Sequence, residues 1–203
     1  MSLDYSFERA AMAAGYRHIC GVDEAGAGPL MGPVYAAAVI LPEDCEIPGL
    51  DDSKKLTEKR REALFPVICE TAVAYAVAFA TEREIDEINI LNARMLAMQR
   101  AIDALSVKAD FALIDGNRSS GILLPNRTVV HGDGRSVSIA AASVLAKVSR
   151  DRFVVDVLDK QYPQYAFAKH KGYGTKLHYE MLDAYGPSPV HRKSFLKKWE
   201  AKR

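Results

Sequence analysis

The segment Gly21-Val22-Asp23-Glu24-Ala25-Gly26-Ala27-Gly28-Pro29-Leu30 brings two adjacent carboxylates to the end of an apolar run and follows them with a glycine-rich turn. Carboxylate oxygens suit hard divalent cations, and glycines let a substrate backbone come close. Two more acids stand at or just past short apolar runs: Asp115 ends Phe111-Ala112-Leu113-Ile114-Asp115, and Asp133 follows Thr128-Val129-Val130-His131. Neighbouring residues of a regular strand face opposite ways, so Asp23 and Glu24 serve one site only where the strand ends. A sheet that sets these strand ends side by side would gather Asp23, Glu24, Asp115 and Asp133. Four oxygen donors match Mg²⁺ or Mn²⁺ better than zinc. In such a site, ions about 4 Å apart activate a water and stabilise the leaving oxygen of a phosphate ester. A single Asp at a strand end is ordinarily a turn former or a cap, so the reading rests on the set. Clustered acids repel one another, and metal binding is expected to stabilise the fold.

These residues need elements to position them. Residues 18 to 23 and 33 to 41 are short apolar runs separated by Gly and Pro, which predicts two buried strands in a hairpin. Val73, Tyr75, Val77 and Phe79 alternate with Ala72, Ala74, Ala76, Ala78 and Ala80, a third strand with large side chains on one face and small ones on the other. Ile88, Leu91, Met95, Met98, Ile102 and Leu105 step by three and four, as the apolar stripe of a helix covering a sheet does. Residues 111 to 115 and 128 to 131 read as strands feeding the site. Residues 138 to 160 lack Gly and Pro and predict a long helix capped near Ser136 or Ser138, with Ser143 and Lys147 four apart on one face. Alternating strands and helices after an initial meander predict an α/β or α+β domain with a mixed sheet. From about residue 161, Gly172, Gly174, Pro187 and Pro189 punctuate short helices and loops.

With 203 residues, 49% hydrophobic and 26% charged, the chain fits one globular domain with a small appendage. No apolar run is long enough to span a bilayer, and the start, Met1-Ser2-Leu3-Asp4, lacks the basic-then-apolar order of a signal peptide, so the expected location is the cytoplasm. Cys20, Cys45 and Cys69 have neither metal-site nor disulfide spacing and read as reduced. The net charge of +1 conceals an asymmetry: from Lys147 onward thirteen Lys and Arg face six Asp and Glu, so that segment carries +7 and the rest −6. His170, His178 and His191 fall in the same basic tail, which would attract phosphate backbones.

The opening segment, Asp52-Ser53-Lys54-Lys55-Leu56, Leu113-Ile114-Asp115-Gly116-Asn117, Gly132-Asp133, Ala141-Ala142-Ser143-Val144-Leu145-Ala146-Lys147-Val148 and His170-Lys171-Gly172-Tyr173-Gly174-Thr175 together resemble bacterial ribonuclease HII, in that family's order and across residues 21 to 195. The resemblance implies a ribonuclease H-like fold: a mixed central sheet flanked by helices over residues 1–160, with a small, basic helical C-terminal extension over 161–203. It implies an endoribonuclease, dependent on Mg²⁺ or Mn²⁺, that cuts RNA in RNA/DNA hybrids and 5′ to single ribonucleotides in duplex DNA, leaving a 3′-hydroxyl and a 5′-phosphate; with no sliding-clamp-binding segment evident in the tail, the expected acting form is a monomer. Asp23, Glu24, Asp115 and Asp133 would be its metal ligands. Gly26, Ala27 and Gly28 would approach the ribonucleotide's 2′-hydroxyl, Tyr173 would pack on the neighbouring sugar, and Lys54, Ser143 and Lys147 would lie near phosphates. His170, Lys171, His191 and Arg192 are further candidates for touching the nucleic-acid backbone.

The sequence departs from that family's pattern at Ala27, where an arginine that reaches a phosphate is usual, at His131 in place of lysine, and at Ala140 in place of serine. Losing one charge-assisted hydrogen bond, about 1.5–3 kcal/mol, weakens binding or turnover by about one to two orders of magnitude. The alternative from another class is therefore a hybrid-binding protein of the same fold with weakened activity. Another phosphoryl-transfer enzyme on this fold is disfavoured by Gly172-Tyr173-Gly174, and ribonuclease HIII by the lack of room for an extra N-terminal domain.

Overall fold

The computed structural model describes residues 3–201; Met1 and Ser2 of the expected leaderless start, and Lys202 and Arg203 of the basic tail, lie outside them. A short helix, α1 (Ser6–Ala13), precedes the predicted hairpin of β1 (Ile19–Ala25) and β2 (Val34–Ile40). Next come α2 (Glu58–Thr71), β3 (Ala74–Ala80) and α3 (Glu82–Asp103), then β4 (Phe111–Asp115), β5 (Asn126–Val129) and α4 (Val137–Phe153). The sheet order is β3-β2-β1-β4-β5, with β1–β2 and β2–β3 antiparallel and β1–β4 and β4–β5 parallel. This is the expected mixed sheet with helices on both faces.

Alternation along β1 divides the core. Cys20 and Val22 face α3 with Met95, Met98 and Ile102, whereas Ala25 lies on the α4 side with Val144, Leu145 and Val148. The alanine face of β3 is buried under α3, and Tyr75 and Phe79 on its other face are 42% and 46% exposed at the sheet edge. Small side chains there let the helix approach closely.

The predicted stripe over 88–105 is corrected at its first two positions. α3 begins earlier, at a capping box in which Thr81 and Glu84 exchange hydrogen bonds, and Asn89 interrupts it with φ 65°. Asn89 tolerates that conformation, and its side chain accepts from the amides of Leu91 and Asn92, restarting the helix. Ile88 and Leu91, beside the break, are exposed; Met95, Met98, Ile102 and Leu105 are core.

Ser136 caps α4, accepting from Ile139 N as predicted, and the helical path continues through a wide π-turn (Val154–Leu158) into α5 (Asp159–Gln161). Buried Glu8 of α1 accepts from the hydroxyls of Ser136 and Ser138, each at 2.6 Å, and from Ser138 N at 3.0 Å, pinning the start of α4. The C-terminal portion is helical: α6 (Phe167–His170), α7 (Lys176–Tyr185) and α8 (Lys193–Glu200). Leu30 and Met31, just past the glycine turn, pack into it against Leu182, Leu196 and Phe167. All three cysteines are free, and no helix among the described residues is long and apolar enough to cross a membrane.

α4 lies almost in contact with the β1 backbone because position 21 has no side chain: a Cβ there would fall 2.1 Å from the backbone carbon of Ser138. Gly21→Ala is expected to destabilise by about 3 kcal/mol, lowering Tm by roughly 6–12 °C in a chain of this size. Thermal unfolding followed by circular dichroism checks this, and an unchanged Tm would show that the contact yields.

Candidate active site

β1 does not end at the acid pair as expected; it continues through Asp23 and Glu24 to Ala25, paired with β2 on one side. On its other side the pairing with β4 stops at Val22↔Ile114, so Asp115 stands beside Asp23 where the sheet opens. The opening comes from the short neighbour, not from the end of β1. Asp133 is also displaced from expectation: β5 stops at Val129, and Asp133 sits in a 3₁₀ turn (Gly132–Gly134) entered through the left-handed His131, φ 56°. The turn carries it back toward β4, where Asp115 Oδ1 accepts from Gly132 N at 2.7 Å and Asp133 N at 3.4 Å.

A cleft of about 230 Å³ is lined by Asp23, Glu24, Gly26, Ala27, Gly28, Lys54, Asp115, Ser143, Lys147 and Tyr173, residues singled out from the sequence, together with Ala25, Ser53 and Arg61. Asp133 lies buried beneath it, joined through Lys54 Nζ at 2.7 Å from Asp133 Oδ2. Tyr173 is 44% exposed, and its ring edge lies 3.6 Å from where a Cβ of residue 28 would sit. Lys147 pairs with Asp151 at 2.8 Å and holds Nζ 6.0 Å from the centre of the Tyr173 ring. Ser143 is buried and hydrogen-bonded to Ser53, so its hydroxyl braces the 52–56 loop against α4. A larger pocket of about 440 Å³ between α1 and the 45–50 loop contains none of the four acids.

The carboxylates share a pattern. Asp23 Oδ1 accepts from Glu24 N at 2.7 Å, Asp115 Oδ1 from the turn amides, Asp133 Oδ2 from Lys54, and Glu24 Oε1 meets Arg94 Nη2 at 2.6 Å. Each acid keeps a second oxygen outside these bonds, and Glu24 Oε2 is buried with no partner among the described residues. Burial, then the charges of Glu24 and Asp115, pushes the Asp23 carboxyl well above its ordinary range. Burial and Asp133 raise Asp115; burial raises Glu24 against the opposing pull of Arg94. Burial lowers the proton affinity of Lys54, but its bond to Asp133 prevails and raises it. A set of hard oxygens, one of each acid outside these bonds, fits a divalent cation in kind. Among the described residues no three acids, histidines or cysteines already surround an ion-sized point. Arg94 and Lys54 draw Glu24 and Asp133 to themselves, so a cation recruiting all four acids must share or displace those partners.

Four expected backbone-contacting residues are placed otherwise. His170, His191 and Arg192 are buried at 8%, 2% and 0% exposure, and Lys171 is half-buried, its Nζ on the carbonyl of Ala168. They touch protein backbone. Arg94 was not anticipated, although a cation at the 91-94-98 spacing of an otherwise apolar stripe was a usable signal. Of the remaining departures, His131 is exposed and Ala140 is buried in α4.

Comparison with known proteins agrees with this architecture. The sequence profile of the family Ribonuclease HII matches residues 20–198. The ribonuclease HII of Dechloromonas aromatica is 59% identical over 177 residues, 87% of this chain and 90% of that protein. The crystal structure of ribonuclease H2 from Pyrococcus horikoshii OT3 superimposes with a TM-score of 0.73 at 26% identity, covering 92% of this chain and 98% of that one. Bst-RNase HIII in complex with Mn²⁺ shares the fold, with a TM-score of 0.66 at 18% identity over 95% of this chain and 71% of that one. With one profile spanning most of its length and a relative this similar, the chain belongs to the ribonuclease HII family of nucleases.

Proposed function

We propose that the protein is an endoribonuclease that cleaves RNA in RNA/DNA hybrids and nicks 5′ to single ribonucleotides in duplex DNA, in the cytoplasm and as a monomer. The observation that carries this is the meeting, in one cleft, of Asp23, Glu24 and Asp115 with the Gly26-Ala27-Gly28 turn and Tyr173. Asp23, Glu24, Asp115 and Asp133 are the ligands we assign to Mg²⁺ or Mn²⁺, which when bound would supply Lewis acidity for two-metal-ion hydrolysis to a 3′-hydroxyl and a 5′-phosphate. The Mn²⁺ complex of Bst-RNase HIII, which shares the fold, is consistent with that choice.

The chain's own groups do the rest. The amides of Ala27 and Gly28 donate to no protein acceptor among the described residues and are free to meet a 2′-hydroxyl. Tyr173, against Gly28, offers an exposed face to the adjoining sugar. Lys54 and Lys147 border the cleft as phosphate partners, and Ser143 fixes the Lys54 loop. We read residues 1–160 as the catalytic core and 161–203 as an extension whose exposed Lys176, Lys193, Lys197 and Lys198 attract the duplex.

Incubated with duplex DNA carrying one ribonucleotide, the protein should nick 5′ to it with Mg²⁺ or Mn²⁺ and not with chelator; a gel without a metal-dependent product sinks the proposal. Asp115→Asn or Asp133→Asn should lower the rate about a thousandfold, the several kcal/mol that a metal supplies, with duplex affinity nearly unchanged. Ala27→Arg should raise kcat/KM about tenfold to a hundredfold by restoring a charge-assisted contact; no gain would mean that another cation already serves there.

Metal and pH should act together on stability. Asp23, Glu24 and Asp115 have raised proton affinity in the folded chain, so the stability they contribute is full below the ordinary carboxylate pKa and is lost as pH rises through their folded values. Saturating Mn²⁺ should therefore raise Tm by roughly 5–10 °C at pH 8 and by much less at pH 5, where protons compete. Scanning calorimetry showing an equal shift at both values would contradict the coupling.

A further inference from the structure

Beneath the glycine turn lies a guanidinium that no phosphate can reach. Arg192 is 0% exposed, and its side chain donates to four carbonyls of one short segment: Gly26 at 2.7 Å, Ala27 at 3.1 Å, Pro29 at 2.7 Å and Gly32 at 2.9 Å. Its own amide donates to Leu30 O at 2.9 Å. Arg192 forms no salt bridge with a carboxylate among the described residues. Burying a charge without an acid is costly unless its donors are satisfied, and here backbone carbonyls satisfy them.

A second buried cation completes the support. Arg150 of α4 packs under Gly26, whose φ is 94° and whose Cβ, if present, would lie 2.1 Å from Arg150 Nε. Arg150 Nη2 donates to Lys171 O at 3.1 Å and Nη1 lies 3.8 Å from Asp151 Oδ1, while Nε and Nη1 are buried without hydrogen-bond partners among the described residues. Leu30 N donates to Gly172 O at 2.8 Å, and His178 Nδ1 holds Tyr173 O at 3.0 Å. The turn and the Tyr173 loop are thus tied together from below.

We propose that Arg192 is the positioning residue of ribonucleotide recognition: by drawing the carbonyls of the 26–32 segment inward it presents the amides of Ala27 and Gly28 toward the substrate's 2′-hydroxyl, at a fixed distance from Tyr173. This rests on the nuclease reading of the cleft. A planar fork with five donors can span four carbonyls; an ammonium with three cannot. The role is selectivity through geometry, and Arg192 itself touches no substrate.

The test uses the full chain as Arg192→Lys and Arg192→Met, with a duplex carrying either one ribonucleotide or one 2′-fluoro nucleotide at the same position. Arg192→Lys should lower kcat/KM on the ribonucleotide about tenfold and shrink the preference over 2′-fluoro by a similar factor, while calorimetric Mn²⁺ affinity stays within about twofold. Amide exchange should quicken at Leu30, Gly172 and Tyr173, whose amides are hydrogen-bonded between and within the two loops, and stay unchanged at 22–24. Wild-type selectivity and exchange in Arg192→Lys would overturn the proposal, as would a variant that loses Tm but keeps its preference for the ribonucleotide. If the wild-type chain nicks nothing, the nuclease reading fails, and the exchange pattern still decides whether Arg192 holds the turn. If Arg192→Met does not fold, Arg192→Lys carries the decision.

Discussion

Crowding of like charge at one end of the sheet is the constraint to which the neighbouring elements respond. Asp115 stands beside Asp23 across the β1–β4 pair, Glu24 follows on the same strand, and Asp133 returns on a turn whose amide bonds to Asp115. Two unit charges 4 Å apart at an effective dielectric of 20 interact by about 4 kcal/mol, comparable with a large part of a domain's net stability. Each acid is quieted separately: Asp23 and Asp115 by backbone amides, Asp133 by Lys54, Glu24 by Arg94. The quieting is partial, because one oxygen of every acid is left over. Those leftover oxygens are the donors that the proposed cation would use, and its binding would then share one free energy with folding.

Holding the acids in place demands stiffness, which comes from close backbone packing. Gly21 lets α4 rest on β1 with no side chain between them, so the distance from Asp23 to Ser143 and Lys147 is set by two backbones and not by adjustable rotamers. Glu8 pins the first turn of α4 with three hydrogen bonds, and the 3₁₀ turn bearing Asp133 lies immediately before that helix. Sheet, turn and helix are therefore tied to one another around the cleft.

Periodicity made the sheet, the α4 cap at Ser136 and the four acids legible, because each depends on local pattern. What escaped it depends on partners distant in sequence. That β1 runs on through Glu24 follows from its pairing with β2, while the opening beside it follows from where β4 stops. The break at Asn89 is local, yet an apolar stripe crossing it read as continuous, and Ile88 and Leu91 were assigned to a core they do not enter. Arg192 carries charge in a basic tail and so reads as a contact for the nucleic-acid backbone; only the carbonyls turned toward it account for its burial. Burial of a cation is a tertiary property that residue type argues against.

The turn separates two roles that a Gly-Arg-Gly sequence would combine. Its shape comes from inside, from Arg192 on its carbonyls and Arg150 under Gly26, whereas a side chain at position 27 projects from the half-buried outer surface. Alanine there removes a possible cation without disturbing what holds the backbone. If the amide edge reads the sugar and the side chain reads a phosphate, Ala27 weakens attraction to the backbone and leaves discrimination of the sugar untouched. Attraction can be supplied elsewhere, by Lys54, Lys147 or the exposed lysines of α7 and α8, because phosphate attraction acts over a Debye length of about 8 Å at physiological salt. Sugar discrimination cannot be replaced at a distance, since it requires hydrogen-bond geometry at a single atom. The buried arginine is thus the member of the pair that this fold can least afford to vary.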